Sequence, residues 1–272
     1  MLPKIIGFFL NILSVFSSEK AAKIALKLFS VPRKGQITPE QSLFLKSGST
    51  EVLFYKNNSI MTYRWAGHKS TVLLVHGWES NAGRWMDIIL GLQKKGFNII
   101  ALDAPAHGKS GSKIFNVALY ATYIKVVSQH FNPHIIIAHS MGGMASVFSI
   151  WQHHIKNIKK LVLLGAPCHY TDVVARYIKM MGYNKRIATE LDKTITKCLG
   201  FPPEAFSTSK NLKNNRTQGL VIHDKNDDSI PFPDALLIKK SLKNSTLIVT
   251  RGLGHSLQDE SVSLQIQEFI NH

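Results

Sequence analysis

The stretch from Ile135 to Ala145 constrains the fold most, because it joins a buried strand to a helix through a turn that contains a serine. Its three consecutive isoleucines predict the strand, and the apolar residues after the serine predict the helix. So tight a turn needs small residues two before and two after Ser140, and Ala138 and Gly142 occupy those positions. We therefore expect the Ser140 hydroxyl to be exposed at the carboxyl edge of a parallel sheet.

Strands and helices alternate along most of the chain, which predicts an α/β fold with a mostly parallel central sheet and helices on both faces. Two strands around Asn57-Asn58 predict a hairpin, and thus antiparallel strands at one edge. Short apolar strands then alternate with amphipathic segments. The predicted strands after the hairpin are residues 71–75, 97–102, 135–137, 161–164, 220–223 and 246–250.

Residues 166–217 interrupt this alternation. About fifty residues of helix and loop separate two predicted sheet strands, which indicates a helical cap insertion. Placed at the carboxyl edge of the sheet, such a cap would cover the serine as a lid. We therefore divide the chain into an N-terminal amphipathic helical segment, residues 1–34, and a domain of residues 35–272 that carries the cap at about 166–217.

The N-terminal segment has two interpretations. Residues 5–18 are uncharged and apolar but shorter than the roughly 20 residues of a bilayer span, and no small-x-small cleavage motif precedes Glu19. A second segment places Ala21, Ala25 and Phe29 on one helical face and lysines on the other. A basic amphipathic helix of this kind can lie in a membrane interface. The alternative is a pair of helices packed on the domain.

Charge and cysteine content exclude several classes of function. The net charge is +16, but the lysines are spread along the chain and no helix-turn-helix, zinc-finger or aromatic RNA-binding signature is present, so we expect no nucleic-acid partner. The two cysteines, Cys168 and Cys198, form neither a disulfide framework nor a metal set. Reduced thiols predict a cytoplasmic protein, with membrane association through residues 1–34 as an open alternative.

Two later segments supply partners for the serine, which needs a base and a group that orients the base. The first is a buried strand that leads into an acidic loop, where Asp224, Asp227 and Asp228 are the candidate carboxylates. The second is Gly252-Leu253-Gly254-His255, whose glycines allow a turn that brings the imidazole over the sheet edge. The resulting chain order of serine, aspartate and histidine is one that is known for this strand-and-helix architecture.

Two backbone N–H groups are candidates to stabilise an oxyanion. One belongs to Met141, immediately after the serine. The other belongs to Trp78, in the turn after the strand 71–75, where Gly77 permits a strained conformation.

Together these motifs resemble the α/β-hydrolase family over roughly residues 50 to 270. The resemblance rests on five motifs in order: His76-Gly77-Trp78, the Asp-x-x-x-His-Gly-x-Ser pattern from Asp103 to Ser110, the serine turn, Asp227 followed by Ile230-Pro231, and Gly254-His255. It implies that Ser140 is the nucleophile, His255 the general base and Asp227 the orienting acid. In the family the loop of Asp103 and His107 is mainly structural.

The sequence thus predicts a serine hydrolase that cleaves a carboxylic ester of a small molecule through an acyl-enzyme, with no cofactor or metal. Thioesterase, lipase and amidase activities stay open because the triad chemistry is shared and the cap determines the substrate. A membrane-peripheral lipase and a catalytically silent binding protein with this fold are the further alternatives.

Overall fold

A computed structural model describes residues 2–271, and in this range the chain forms eight strands and eleven α-helices. The strands are β1 (Ser49–Tyr55), β2 (Asn58–Trp65), β3 (Lys69–Val75), β4 (Phe97–Leu102), β5 (Ile135–His139), β6 (Lys160–Leu164), β7 (Gln218–Asp224) and β8 (Ser245–Thr250). The helices are α1 (Leu2–Phe16), α2 (Ser18–Ser30), α3 (Pro39–Leu45), α4 (Met86–Lys94), α5 (Val117–Phe131), α6 (Met141–Gln152), α7 (Tyr170–Met181), α8 (Lys185–Leu199), α9 (Thr208–Leu212), α10 (Pro233–Ser241) and α11 (Glu260–Asn271).

All eight strands belong to one sheet in the order β1-β2-β4-β3-β5-β6-β7-β8. The pairs β1–β2 and β2–β4 are antiparallel, and every other pair is parallel. The predicted α/β class and the antiparallel edge are therefore confirmed. The hairpin turn lies one residue earlier than predicted, because Tyr55 pairs with Asn58 and Lys56 takes the positive φ of the two-residue loop.

Helices cover both faces of the sheet, so the central strands have no polar face. On β5, Ile136 and Ala138 belong to the core that α5 and α6 cover, whereas Ile135 and Ile137 belong to the core that α4 and α11 cover. This alternation follows the period of two of a strand. It explains why β5 is a run of isoleucines, and it buries every residue of the strand up to His139.

The two N-terminal helices pack on the rest of the chain. Ala21, Ala22 and Ala25 of α2 are buried, and α2 lies along α8. The Tyr177 hydroxyl of α7 donates to the Ala25 carbonyl oxygen at 2.9 Å. The apolar face of α2, which was a candidate for membrane contact from the sequence, is therefore covered by protein. The division of the chain at residue 34 stays a prediction.

Helices α7, α8 and α9 lie between β6 and β7, in the region of the predicted cap at 166–217. Buried side chains on one face of α8, spaced four residues apart, attach it to the same core as α5 and α6. The role of this segment as a lid stays a prediction. No helix within residues 2–271 is both long and apolar enough to cross a membrane.

Candidate active site

Ser140 lies in a strained turn between β5 and α6. Its φ is +51°, a value that serine rarely adopts, and its neighbours leave little space around it. A Cβ atom on Gly142 would lie 2.3 Å from the carbonyl oxygen of His76, and one on Gly77 would lie 2.8 Å from Cβ of Ser140. A small residue at position 142, two after the serine, is thus required because the backbone at the end of β3 lies so close.

His255 connects the serine to a carboxylate. Its Nε2 lies 2.9 Å from Oγ of Ser140, and its Nδ1 lies 2.7 Å from Oδ2 of Asp227. The three residues come from three separate segments, which follow β5, β7 and β8 at the carboxyl edge of the sheet. The structure therefore brings together the serine, histidine and aspartate that the sequence selected.

The Asp227 carboxylate is held by backbone as well as by the imidazole. Its Oδ1 accepts hydrogen bonds from the N–H groups of Ser229 at 2.9 Å and Ile230 at 2.8 Å. Burial raises the pKa of Asp227, but the hydrogen bonds from His255 and from the backbone outweigh it, and the net shift is downward. An ionised Asp227 accepts a hydrogen bond from the protonated Nδ1 of His255, which leaves Nε2 as the acceptor for the Ser140 hydroxyl.

Asp224, the other main candidate from the sequence, has a different partner. Its carboxylate accepts hydrogen bonds from the Thr250 hydroxyl at 2.7 Å and from the N–H groups of Leu253 at 2.9 Å and Gly252 at 3.3 Å. These contacts attach the loop that carries His255 to the end of β7. The geometry thus assigns Asp227 to the imidazole and Asp224 to the loop behind it.

The two predicted oxyanion donors lie beside the serine. Met141 is the first residue of α6, where a helix leaves its N–H groups without intrahelical acceptors. Trp78 follows Gly77 in the turn after β3. Trp78 and Met141 line the same cavity as Ser140. Within residues 2–271 neither N–H donates to a protein acceptor. Both groups are therefore available to an oxygen bound in that cavity.

His76 orients the peptide that carries the Trp78 N–H. Its Nε2 accepts from the Ala104 N–H at 2.9 Å, so its Nδ1 carries the proton and donates to the Gly77 carbonyl oxygen at 2.7 Å. Burial, and then the nearby His107, lower the pKa of His76 well below its usual value, which keeps the ring neutral. Because the Gly77–Trp78 peptide is planar, fixing its oxygen also fixes the direction of its N–H.

Asp103 and His107 support neighbouring loops, as the resemblance implied. The Asp103 carboxylate accepts from the Ala82 N–H and the Lys109 N–H, each at 2.9 Å. His107 Nε2 accepts from the Glu79 N–H at 2.9 Å, immediately after Trp78.

Arg84 is a site residue that the sequence did not reveal. Its guanidinium donates to Nδ1 of His139 at 2.6 Å and to the Ser256 carbonyl oxygen at 2.8 Å. Nε2 of His139 in turn donates to the carbonyl oxygen of His255 at 2.8 Å. Burial, followed by the charge of Arg84, lowers the pKa of His139 well below its usual value. Arg84 and His139 therefore hold the carbonyl groups of Ser256 and His255, respectively.

A mostly apolar cavity of about 310 Å³ adjoins Ser140 and His255. Its other lining residues come from six parts of the chain: Phe29 and Ser30 of α2, Trp78 and Glu79 after β3, Phe115 before α5, Met141 of α6, Tyr170 and Val173 of α7, and Ser229 and Ile230 after β7. The volume lies at the lower end of the range for small-molecule pockets. The contribution of α2 was not predictable from the sequence, where Phe29 is visible only as part of an apolar helical face.

Metal chemistry has no candidate site in the part of the chain that the structure describes. Residues 2–271 contain no cluster of three or more histidine, cysteine, aspartate or glutamate side chains that could hold an ion. Cys168 is buried and Cys198 is exposed, and neither lines the cavity.

Comparisons with known proteins agree with this fold. A family model described as serine aminopeptidase, S33, matches residues 66–226. The AB hydrolase superfamily protein YisY of Bacillus subtilis is 20% identical over 249 residues, which cover 75% of this chain and 93% of that protein. A monoacylglycerol lipase of Mycolicibacterium smegmatis is 27% identical over 116 residues, 39% of this chain and 41% of the lipase. The crystal structure of a serine hydrolase from Cycloclasticus zankles matches with a TM-score of 0.64 at 18% identity, covering 82% of this chain and 98% of that one.

Proposed function

The chain belongs to the serine aminopeptidase S33 family of the α/β-hydrolase superfamily, and from this premise we propose that it is a serine hydrolase that cleaves a carboxylic ester. The observation that carries the proposal is the continuous hydrogen-bonded chain from Ser140 through His255 to Asp227, with distances of 2.9 and 2.7 Å. A serine becomes a nucleophile when a base within hydrogen-bond distance can remove its proton.

In the proposed first half-reaction, Oγ of Ser140 forms a bond to the ester carbonyl carbon while Nε2 of His255 takes the hydroxyl proton. The carbonyl oxygen becomes an oxyanion, which accepts hydrogen bonds from the N–H groups of Trp78 and Met141. The carbon–oxygen bond to the alcohol then breaks, and His255 returns its proton to the departing alcohol. The acyl group stays on Ser140.

In the second half-reaction, water attacks the acyl carbon while His255 accepts one of its protons. The bond from the carbon to Oγ of Ser140 breaks, and the proton passes back to the serine. Asp227 stays ionised in both steps and stabilises the imidazolium that forms. The products are the alcohol and the carboxylic acid, and the enzyme is restored.

The cavity lining supports an apolar acyl compound over a peptide with a free amino terminus. Such a peptide presents an ammonium group, which is best paired with a carboxylate. Within residues 2–271 the one carboxylate that lines the cavity is Glu79, and its Oε1 already accepts the Arg33 N–H at 2.9 Å. The aromatic and aliphatic side chains of the other walls suit a hydrocarbon chain.

Steady-state hydrolysis of a p-nitrophenyl ester series by Ser140→Ala tests this proposal. We expect kcat to fall by about 10⁴-fold or more, because the nucleophile is lost while the fold is retained. Ser146→Ala is the matched control, since this serine lies in the helix that follows Ser140 and its buried hydroxyl has no partner among the described residues. Unchanged ester hydrolysis by Ser140→Ala would refute the proposal. Faster turnover of aminoacyl p-nitroanilides than of esters would replace it with an aminopeptidase.

A further inference from the structure

Helix α1 presents an apolar face to solvent along its whole length. Seven large apolar side chains on this face are each at least 46% exposed: Leu2, Ile5, Phe8, Phe9, Ile12, Val15 and Phe16. Their spacing of three and four residues places them on one side of a helix that is about 22 Å long. We call this surface the outer face of α1. A contiguous apolar strip of this kind marks an interaction site, whereas single exposed apolar residues do not.

The inner face of α1 meets the protein through polar contacts as well as through Leu10, which is buried in the core. The Asn11 side chain donates to the Gly182 carbonyl oxygen and accepts from the Asn184 N–H, both at 2.9 Å. The Asn184 side chain donates to the Ser14 hydroxyl at 2.9 Å. These contacts lie at the turn between α7 and α8.

Close packing fixes the rotation of α1 as well. Gly7 lies so near the end of α7 that a Cβ atom on it would be 1.8 Å from the Met181 carbonyl oxygen. A surface helix of a globular protein normally turns its apolar side inward. Helix α1 buries Leu10 on its inner side but leaves a wider apolar face in solvent, and its polar contacts and its glycine hold it in that orientation.

Basic side chains border the outer face of α1. Lys185 and Arg186, at the start of α8, are exposed and line a groove together with Val15 and Phe16 at the end of α1. Lys4 is exposed near the other end of the helix. Within residues 2–271 none of these three basic groups forms an ion pair with a carboxylate.

The two carboxylates beside the groove do not neutralise this border. Glu19 pairs with Lys23 at 2.5 Å, and Glu190 pairs with Lys193 at 3.2 Å. Both acids therefore have basic partners of their own. The whole chain, at a net charge of +16, adds a positive field to the local one.

We propose that the outer face of α1 docks the protein on an anionic lipid bilayer, with α1 lying in the plane of the interface. Large apolar side chains flanked by lysine and arginine are the composition of an interfacial helix. A two-fold dimer through the same face would bring Lys185 and Arg186 of each copy toward the equivalent surface of the other, and like charges oppose that arrangement. The proposal concerns binding and does not depend on the chemistry at Ser140.

Docking through α1 would hold the cavity close to the lipid. Helix α1 packs against α2 and α7, which contribute Phe29 and Val173 to the cavity wall. The width of one helix, about 10 Å, thus separates the outer face of α1 from the helices around the cavity.

Flotation with lipid vesicles tests the proposal on the full chain. Wild-type protein is mixed with vesicles of phosphatidylcholine alone, or of phosphatidylcholine and phosphatidylglycerol in equal parts. We expect it to float with the anionic vesicles and to partition more weakly to the neutral ones. Replacing two exposed aromatic residues, Phe8→Ser with Phe9→Ser, should lower partitioning at least about tenfold. Replacing two basic residues, Lys185→Glu with Arg186→Glu, should abolish the preference for anionic lipid.

The matched control removes equally exposed apolar groups elsewhere. Leu43 on α3 and Phe54 on β1 are 73% and 67% exposed, and Leu43→Ser with Phe54→Ser should float like wild type. Thermal melts by circular dichroism establish that each variant is folded. Absence of wild-type protein from both floated fractions would overturn the proposal, as would wild-type flotation of the Phe8/Phe9 variant. A wild-type dimer in sedimentation that the Phe8/Phe9 variant does not form, with no vesicle binding by wild type, would also overturn it. That result would assign the face to a second copy.

Discussion

At the scale of single residues, Ser140 combines a rare backbone conformation with a hydrogen bond to His255. Its positive φ is maintained because β5, the start of α6 and the turn after β3 all converge on it. The imidazole is fixed from two sides, through Asp227 at its Nδ1 and through the loop that Asp224 anchors. In the proposed mechanism, activity therefore depends on orientation as much as on the identity of the three residues.

Asp227→Asn tests the role of the carboxylate. An asparagine can occupy the same space, but it favours the wrong tautomer of His255 and cannot stabilise an imidazolium, so we expect kcat to fall by about 10³- to 10⁴-fold. The neighbouring variant Asp228→Asn is the control, because that side chain is exposed and does not contact the imidazole. Equal kinetics of the two variants on a p-nitrophenyl ester would exclude Asp227 as the orienting acid.

Arg84→Met tests the support behind the histidine loop. The variant keeps aliphatic bulk against Trp85 but loses the hydrogen bonds to His139 and Ser256. We expect kcat to fall by about 10- to 100-fold with little change in KM, because the imidazole is less well positioned while the cavity is intact. Arg251→Met, at an exposed arginine close in sequence to His255, should match wild type. A change in KM alone would argue against a positioning role.

Motifs identified the serine, the histidine and the aspartate in the sequence, but not Arg84. Each triad residue follows a strand and is accompanied by glycine, proline or small residues that a tight turn requires. Arg84 is 172 residues away from Ser256, which it contacts, and no local spacing encodes such a pair. The resemblance favoured Asp227 over Asp224, and the geometry agrees, because Asp227 contacts the imidazole whereas Asp224, at the end of β7, contacts the loop behind it.

At the scale of elements, α2 and α7 contribute to the wall of the cavity, and we expect them to limit what it accepts. Both lie outside the sheet, yet Phe29 and Val173 form part of the wall near Ser140. The periodicity of α2 correctly predicted an apolar face, but the periodicity of a helix cannot tell whether protein or lipid covers that face. The small alanines of α2 allow close packing on α8, and the exposed apolar surface lies on α1 instead.

Val173→Trp tests the part of the cavity wall that α7 forms. The larger side chain should fill part of the cavity, so that kcat/KM for a long-chain p-nitrophenyl ester falls about tenfold or more while that for the acetate stays near wild type. Ala175→Trp places the same side chain on an exposed position of α7 and should leave both rates unchanged. An equal loss for short and long esters would mean that Val173 does not limit the acyl chain.

At the scale of the whole molecule, buried neutral histidines make stability depend on pH. Burial lowers the pKa of both His76 and His139 well below the usual 6.5. As the pH falls below about 6.5, the unfolded chain binds protons that the folded chain does not bind. The free energy of unfolding must therefore decrease on acidification.

Urea unfolding from about pH 7.5 to about pH 5.5 measures this dependence. The wild-type free energy of unfolding should fall across the range, and His139→Gln should fall less steeply because one of the buried rings is gone. His130→Gln is the control, since about half of that side chain is exposed. A slope for His139→Gln equal to that of wild type would show that His139 does not stay neutral in the folded protein.

The sheet as a whole was predictable, because alternating strand and helix patterns admit few arrangements. The position of the N-terminal helices was not, because it depends on contacts such as that of Gly7 with Met181, which is distant in sequence. The cavity wall depends on the same kind of long-range packing. The substrate class is therefore harder to predict from the sequence than the catalytic residues are.

Labelling with a fluorophosphonate probe, followed by intact-mass measurement, tests the central claim most directly. Such probes react with a serine that a neighbouring base has activated. Our expectation is one adduct on wild-type protein and on Ser146→Ala, and none on Ser140→Ala. Folded wild-type protein without an adduct, or an adduct that persists in Ser140→Ala, would contradict it.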